Sequence, residues 1–518
     1  MQTNNKTIAK NTLFLYFRMM FTMLVSLYTS RIILEVLGVD DFGTYQAVGG
    51  IVAMLSFVNG ALSNGTSRFL TYELGTGNYV KLKKTFSTLL SLHIIIAVLI
   101  VILAETLGVW FVKNELVIPD GRMEAALFTY HLSVITSVAT ITQVPYNASI
   151  ISHEKMGVYA YLSIFETLAK LLIVYSLTYF DWDKLKLYAL LLCILQIATA
   201  LYYRHYCVRR FEETHFRFII EKSIVKEVSS YSVWNLISSI SVPLKNQGLI
   251  IVLNMFFSPA VVTARALANQ VNMAANQFVQ NFRTAANPQI VKRLASGDIQ
   301  GSKSLLLSST KYSYYMMLAL CLPICLLADP LLKMWLREVP EYTVIFLQLA
   351  IISSLFQVFD TSFYTALYAI GRIKENALIS PILGILTFPL TYVMFKFGYS
   401  PVVMAWILLT LYVNLGMFIK PFLIVKYAGY KWNEIFRVIL LCFKVTFASS
   451  LLPIVIYANK KLLFGSKEFI FFITILFVCL ISTFFSVWFI GLSQNMKHQI
   501  VNNIRIVKNR TLRNQYSN

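Results

Sequence analysis

Charge is scarce in this chain, and so is anything that would be comfortable in water. Only 13% of the residues are charged, about half the share of a typical soluble domain. Acids are the scarcer sign, with 24 Asp and Glu against 45 Lys and Arg. Long polar connections are missing as well. The longest, around Arg204–Lys226, has about 23 residues, too few to fold as a catalytic domain of its own. There is no phosphate-cradling glycine loop ending in Gly-Lys-Ser/Thr, no Gly-x-Ser-x-Gly elbow and no His-Glu-x-x-His pair, so the usual routes to nucleotide or ester hydrolysis are closed. The chain is not expected to be an enzyme. Cysteine is sparse, and five of six (Cys193, Cys321, Cys325, Cys442, Cys479) lie inside apolar runs, where a free thiol packs as a small hydrophobe. Cys321 and Cys325 are one helical turn apart, but no His or carboxylate nearby completes a metal set.

What the chain has in abundance is apolar length. Hydrophobic residues make up 57% of the 518 and aromatics 14%. Apolar runs of 18 residues or more number about fourteen, each long enough to cross a hydrocarbon core about 30 Å thick as a helix. The expected spans are Thr12–Leu37, Phe42–Ala61, Phe86–Val109, Met123–Ile150, Met156–Phe180 and Lys186–Tyr206; after the basic linker, Val228–Phe256, Pro259–Asn281, Leu305–Leu327, Tyr342–Leu367, Asn376–Phe397 and Pro401–Val425; and finally Phe436–Tyr457 and Phe469–Leu492. The first run holds Arg18 and Arg31 and is too long for the core of a cleavable signal. The net charge of +21 falls unevenly: with a cytoplasmic N-terminus, the loops and tails on that side carry about 27 Lys and Arg against about 10 opposite, the positive-inside bias. The tail residues Lys497, Arg505, Lys508, Arg510 and Arg513 then lie against anionic headgroups. With no soluble fold behind a basic face, nucleic acid is not an expected partner. The expectation is a multi-pass protein of the cytoplasmic membrane with both termini cytoplasmic.

The sequence echoes itself at an offset of about 220 residues. Tyr72-Glu73-Leu74-Gly75-Thr76-Gly77-Asn78, followed by Lys81, Lys83 and Lys84, returns as Lys292-Arg293-Leu294-Ala295-Ser296-Gly297-Asp298, followed by Lys303. Tyr146 and Ala148 similarly align with Tyr364 and Ala366. Six helices per repeat is an even number, so the halves share one orientation, as in a parallel repeat about the membrane normal. The expected domains are therefore residues 1–218 and 219–430, two six-helix bundles, with residues 431–518 adding two helices and the basic tail.

Polar groups inside the spans need a reason, since a charge at a helix centre costs about 2.5–3.5 kcal/mol on insertion scales. Arg265, Asn269, Asn272, Asn276, Gln280 and Arg283 recur at steps of three or four, one helical stripe about 27 Å long. Two readings fit: the wall of a wet lumen, or amides that tie helices together. Gln270, Gln277 and Asn281, on a neighbouring face, suit the second. In the preceding run, Asn235, Ser238, Ser239, Ser241, Lys245, Asn246 and Gln247 surround Pro243, which frees a carbonyl and kinks the helix. Lys245 either faces the lumen or snorkels to the surface. Arg31 and Glu35, four apart, either neutralise each other or serve the lumen; Arg18 has no such local acid. Glu166 and Lys170 read as an ion pair. Asp360, among Gln357, Thr361, Ser362 and Thr365, has no local partner and is open to a proton, to Na⁺ or to a lumenal arginine.

The stretch Ser30-Arg31-Ile32-Ile33-Leu34-Glu35-Val36-Leu37-Gly38-Val39-Asp40-Asp41-Phe42-Gly43-Thr44-Tyr45 resembles the opening "Arg…Leu-Gly-x-x-(Asp/Glu)-(Phe/Tyr)-Gly-x-Tyr" of bacterial polysaccharide repeat-unit (O-antigen) flippases, in the multidrug/oligosaccharidyl-lipid/polysaccharide exporter superfamily. Length, helix number and basic tail extend the resemblance over the whole chain. It implies alternating-access movement of undecaprenyl-pyrophosphate-linked sugar units from the inner to the outer leaflet during surface polysaccharide or lipopolysaccharide synthesis. Membrane lipids surround the protein, and a polysaccharide polymerase and ligase are further candidate partners. Cations of a central cavity would meet the pyrophosphate, and Arg18, Arg31, Lys245, Arg265 and Arg283 suit that role by place and charge. Asn269, Asn272, Asn276 and Gln280 offer donors and acceptors to sugar hydroxyls. No cofactor is expected beyond a coupling H⁺ or Na⁺, with Asp360 and Glu166 as coupling acids. The rival expectations are a cation-coupled multidrug exporter of the same superfamily, whose function would rest on those two acids, and a membrane glycosyltransferase, polymerase or ligase, which usually needs larger outer loops.

Overall fold

The computed structural model is helical throughout, with no strand among the described residues. These are 2–55, 57–153, 155–226, 228, 244–465, 467–494 and 496–498, with the backbone alone described at 2–18, 55, 57–62, 64, 156, 159–160, 284–285, 288 and 373–377. The helices are α1 Gln2–Leu55, α2 Phe57–Thr76, α3 Tyr79–Leu103, α4 Val109–Asn114, α5 Met123–Ser152, α6 Met156–Ser176, α7 Lys184–Arg210, α8 Leu249–Phe256 and α9 Pro259–Ala295. They continue as α10 Ile299–Leu326, α11 Ala328–Trp335, α12 Thr343–Ala369, α13 Ile373–Lys396, α14 Val403–Asn414, α15 Lys420–Ala428, α16 Trp432–Ala458, α17 Lys460–Phe464 and α18 Glu468–Ser486.

Among the described residues, nine helices are long and apolar enough to cross a membrane, or ten if α10 and α11, bent by 82°, form one span. That is fewer than the roughly fourteen apolar runs suggest. Three causes account for most of the gap. The span Met19–Met54 has 36 residues, about 54 Å if straight, and Gly38 at φ 79°, ψ 173° divides it into two helices. The break falls where the first run, Thr12–Leu37, was expected to end, because only glycine enters that backbone region cheaply. The run Val228–Phe256 lies mostly outside the described residues. Finally, α9 carries so many amides and arginines that composition does not mark it as a span.

The two echoed loops share one local structure. Gly77 and Gly297 both take positive φ, 72° and 84°. Asn78 then caps α3 by accepting from Lys81 N at 3.0 Å, and Asp298 caps α10 by accepting from Gly301 N at 2.8 Å. Each loop leaves one helix through a left-handed residue and enters the next through an Asn or Asp side chain.

The chain forms two compact units: Met1–Val271, Lys333–Phe346 and Lys374–Leu411 in the first, and Asn272–Leu332, Leu347–Ile373 and Tyr412–Asn518 in the second. In the first, α5 packs on α1, α2, α3 and α7. One cluster there joins Ala47, Val48 and Val52 of α1 to Ala126, Tyr130 and Val134 of α5. The Tyr130 hydroxyl donates to Ala104 O at 2.8 Å, at the head of a π-helical turn, Ala104–Gly108. In the second unit α16 and α18 pack together and on α10, around Leu322, Phe471, Phe472 and Ile475. Small polar groups tie these helices, as is usual where lipid removes the hydrophobic incentive to associate: Ser482 Oγ donates to Ser449 O at 2.8 Å, and the Tyr314 and Thr446 hydroxyls lie 2.9 Å apart.

Candidate functional site

The first unit holds a cavity of about 350 Å³, lined along one side by Tyr45, Gln46, Gly49 and Gly50 of α1. Ser133, Thr136, Ser137 and Thr140 of α5 form a hydroxyl wall, and Gln247 adds an amide. Among the described residues that line it, none is charged. Tyr45 is held by the Tyr188 ring at 5.0 Å. Gln247 reaches the cavity from a π-helical turn, Leu244–Gly248, where the inserted residue shifts the helical register. This wall was missed in reading the sequence, although positions 133, 136, 137 and 140 share one helical face. Hydroxyls in an apolar run are commonplace, and only the gap in front of them sets these apart.

The second unit holds a charged seam. Lys420 Nζ lies 3.2 Å from Asp360 Oδ1, and the lysine side chain is 2% exposed. The ammonium also sits over the Tyr364 ring, 5.5 Å from its centroid. Lys420 follows another π-helical turn, Leu415–Ile419. Gly416 in that turn lets the backbones approach: a Cβ there would lie 2.5 Å from Phe356 O, one turn before the ion pair on each helix. Arg283, 5% exposed, donates to Thr361 O and to Thr365 Oγ1 at 3.4 Å, and interacts electrostatically with Asp360. Asp360, expected to lack a local partner, therefore has one from a distant helix. Lys420 itself went unremarked, though a lysine between Ile419 and Pro421 in an apolar run is signal enough.

Farther along the same seam, Asn272 and Asn276 are closed onto α12. The Ser354 hydroxyl donates to Asn272 Oδ1 at 2.7 Å, while Asn276 Nδ2 donates to Ser354 Oγ at 2.8 Å and to Asn272 O at 2.9 Å. Gln280 is exposed. Arg265 and Asn269, both half-buried, belong to the first unit, the division falling between Val271 and Asn272. Gln270 ties α9 to α1 through Ser30 Oγ at 2.5 Å, and Gln277 donates to Asn281 Oδ1 at 3.1 Å. Arg31 lies 3.6 Å from Glu35, which Arg337 also engages at 2.8 Å. Lys245 is half-buried on the turn that carries Gln247. Glu166 is half-buried on α6, one turn before the exposed Lys170. The Arg18 side chain and residues Asn235–Pro243 lie outside the described residues. Of the predicted site residues, the structure brings Arg283 and Asp360 into one buried cluster and joins Asn272 to Asn276; none of the described ones lines the cavity.

A third polar group closes one end of the first unit. Arg122 donates through Nε to Asp41 Oδ1 at 2.8 Å and contacts Asp183 Oδ2 at 2.5 Å. Asp183 caps α7, accepting from Lys186 N at 3.1 Å. Burial would raise the Asp183 carboxyl, but the Arg122 hydrogen bond, the Lys186 N–H and the Arg122 charge outweigh it and hold it below the usual carboxylate range.

The family model described as polysaccharide biosynthesis protein matches residues 8–294. The chain belongs to that family. Comparison with curated proteins finds no match. Among solved structures, the lipid II flippase MurJ in an inward closed conformation aligns at TM-score 0.70 and 12% identity, over 92% of this chain and 97% of that one. A multidrug resistance MATE family transporter of the MOP superfamily, inward-facing, aligns at 0.67 and 13%, over 80% and 99%. A MOP superfamily transporter from Pyrococcus furiosus, described by the reverse polarity of its binding pocket, aligns at 0.56 and 14%, over 80% and 95%. The fold is thus that of the MOP superfamily transporters, a multi-pass all-α membrane protein whose fold neighbours include a lipid II flippase and multidrug resistance transporters.

Proposed function

We propose that this polysaccharide biosynthesis family member is a flippase for undecaprenyl-pyrophosphate-linked oligosaccharide repeat units. It would carry them from the inner to the outer leaflet of the bacterial cytoplasmic membrane by alternating access, with both termini cytoplasmic. The observation that carries this reading is the charge of the buried seam, where Arg283 and Lys420 meet one carboxylate among the described residues, Asp360. Two cations against one acid leave a formal positive charge in a low-dielectric place, and an anionic head completes it. Arginine matches pyrophosphate bidentately and lysine as a point charge. The polyprenyl tail stays in lipid while the head passes. Arg18 and Arg265 are further candidates for the head, and Asp360, once released from Lys420, is the candidate coupling site for H⁺ or Na⁺. A cation-coupled drug exporter would instead rely on its acids, and Asp360 here is already neutralised by a neighbour. The remaining features of the proposal (O-antigen or lipopolysaccharide as the end product, with polymerase and ligase downstream) follow from the substrate class.

The test is complementation of surface-polysaccharide export in a strain lacking this gene, with membrane levels of every variant measured. Arg283→Ala and Arg265→Ala should each reduce export at least about tenfold, the loss of one desolvated charge-assisted bond, and Arg→Lys should keep part of it. Full export by both well-expressed alanine variants, or altered drug sensitivity with normal export, would sink this reading.

A further inference from the structure

The cavity of the first unit has a chemistry of its own, opposite in kind to a phosphate site. Along its wall on α5 the hydroxyl protons are already spent on the helix: Ser133 Oγ donates to Thr129 O at 2.8 Å, Thr136 Oγ1 to Leu132 O at 2.8 Å, and Thr140 Oγ1 to Thr136 O at 2.9 Å. What these groups still offer is lone pairs. Phosphate and carboxylate, which only accept, find a poor match there. Ser137 is different: its hydroxyl is buried and has no hydrogen-bond partner, and it borders the cavity. A buried hydroxyl left unpaired costs free energy, and such groups in native structures normally answer to a ligand or to water. Across the gap, the amides of Gln46 and Gln247 each bring two donors and an acceptor. The Tyr45 ring supplies a flat apolar face.

We propose that this cavity is a subsite for one uncharged sugar ring, a hexose or N-acetylhexosamine, of the lipid-linked glycan. Each sugar hydroxyl both donates and accepts, so it satisfies the acceptor-rich wall and the glutamines together. The C–H face of the ring lies against Tyr45. Among the described lining residues there is no cation, which selects against acidic sugars, whose carboxylate would be buried without a counter-charge. Nor is there a carboxylate among them, which removes the attraction for cationic drugs. At about 350 Å³ the space falls at the lower end of ordinary ligand pockets, room for a single ring but not for a repeat unit. The inference rests on the flippase reading for its source of sugar, though not for its chemistry.

The test uses the full chain in lipid nanodiscs with Ser133→Cys, a near-isosteric change at a hydroxyl whose proton is already engaged. Labelling at that position by a small aqueous maleimide is followed by peptide mass spectrometry, which separates it from the native cysteines. Glucose, galactose or N-acetylglucosamine at millimolar concentration should slow the labelling severalfold, while glucuronate and inorganic pyrophosphate leave the rate unchanged. Adding Gln247→Leu should preserve the sugar-free rate and raise the half-protecting sugar concentration about tenfold, as expected for one or two lost hydrogen bonds. Four outcomes would overturn the subsite: no labelling at all, no protection by any neutral sugar, equal protection by glucuronate, or protection indifferent to Gln247→Leu. A parallel titration with farnesyl pyrophosphate separates the two ideas. If that lipid fails to bind while sugars still protect, the flippase reading falls and the subsite stands; lipid binding without sugar protection has the reverse meaning.

Discussion

The cavity of the first unit and the seam of the second solve the same problem in opposite ways. Both place polar side chains within membrane-spanning helices. In the cavity the groups are neutral, and several keep unused hydrogen-bonding capacity in front of open space. In the seam they are charged, and neighbours close around them: Asp360 on Lys420, Arg283 on α12, Asn272 and Asn276 on Ser354. The physical reason is the cost of exposure to low dielectric, which for an unpaired hydroxyl is about 1–3 kcal/mol and for an ion several times that. A neutral cavity can therefore stay open, whereas a charged site has to carry internal partners.

The largest effect should come from breaking the seam. Asp360→Ala leaves Lys420 buried without a counter-charge, which should cost about 3–5 kcal/mol of stability and appear as a large drop in Tm or in membrane abundance. Asp360→Ala with Lys420→Met removes the ion pair and should recover part of that loss, with Arg283 still held by the Thr361 carbonyl and the Thr365 hydroxyl, while export remains lost. A double variant no more stable than the single one would mean that the pair is not what holds these helices together.

A pair of glycines sharpens the contrast at intermediate size. Gly416→Ala forces a Cβ to 2.5 Å from Phe356 O in the seam, and overpacking of that kind should cost about 1–3 kcal/mol. Gly49→Ala meets nothing within 4 Å; it should leave stability unchanged or raise it by up to about 1 kcal/mol, since alanine is the better helix former. Thermal melts in one detergent would rank the two, and equal destabilisation would show that the cavity is not open space.

The smallest effect belongs to the exposed rim, where water does part of the work. Asp183 is held below the usual carboxylate range by Arg122 and its helix cap. The stabilisation this provides is complete above the unfolded carboxylate value of about 3.9 and is lost as pH falls further, through the folded value. Because the pair is partly exposed, it should amount to less than about 1 kcal/mol. Asp183→Asn should therefore lower Tm slightly at pH 7 and by less as pH falls below about 3.9; an equal loss at both ends would remove charge as the cause.

Much of this was legible in the linear chain. Apolar runs, the end of the first helix before Gly38, the glycine-Asx loops at 77–78 and 297–298 and the amide-rich face of α9 all depend on neighbours within a turn or two, so periodicity and capping chemistry expose them. The Arg31–Glu35 contact at 3.6 Å was legible for the same reason. Lys420 is another matter. It sits 60 positions from its acid, and helical periodicity says which face a residue occupies, not which helix arrives opposite. The same holds for Arg122 with Asp41 and Asp183, and for the hydroxyls of α5, whose interest lies in the space that Gln46 and Gln247 leave in front of them. The sequence by itself determined that this is an all-α membrane protein, because a hydrocarbon core admits only long apolar helices whose backbone bonds are satisfied internally. Tertiary structure alone decided where charge is cancelled and where a cavity stays open and neutral, because both depend on the side chains that long-range packing sets face to face.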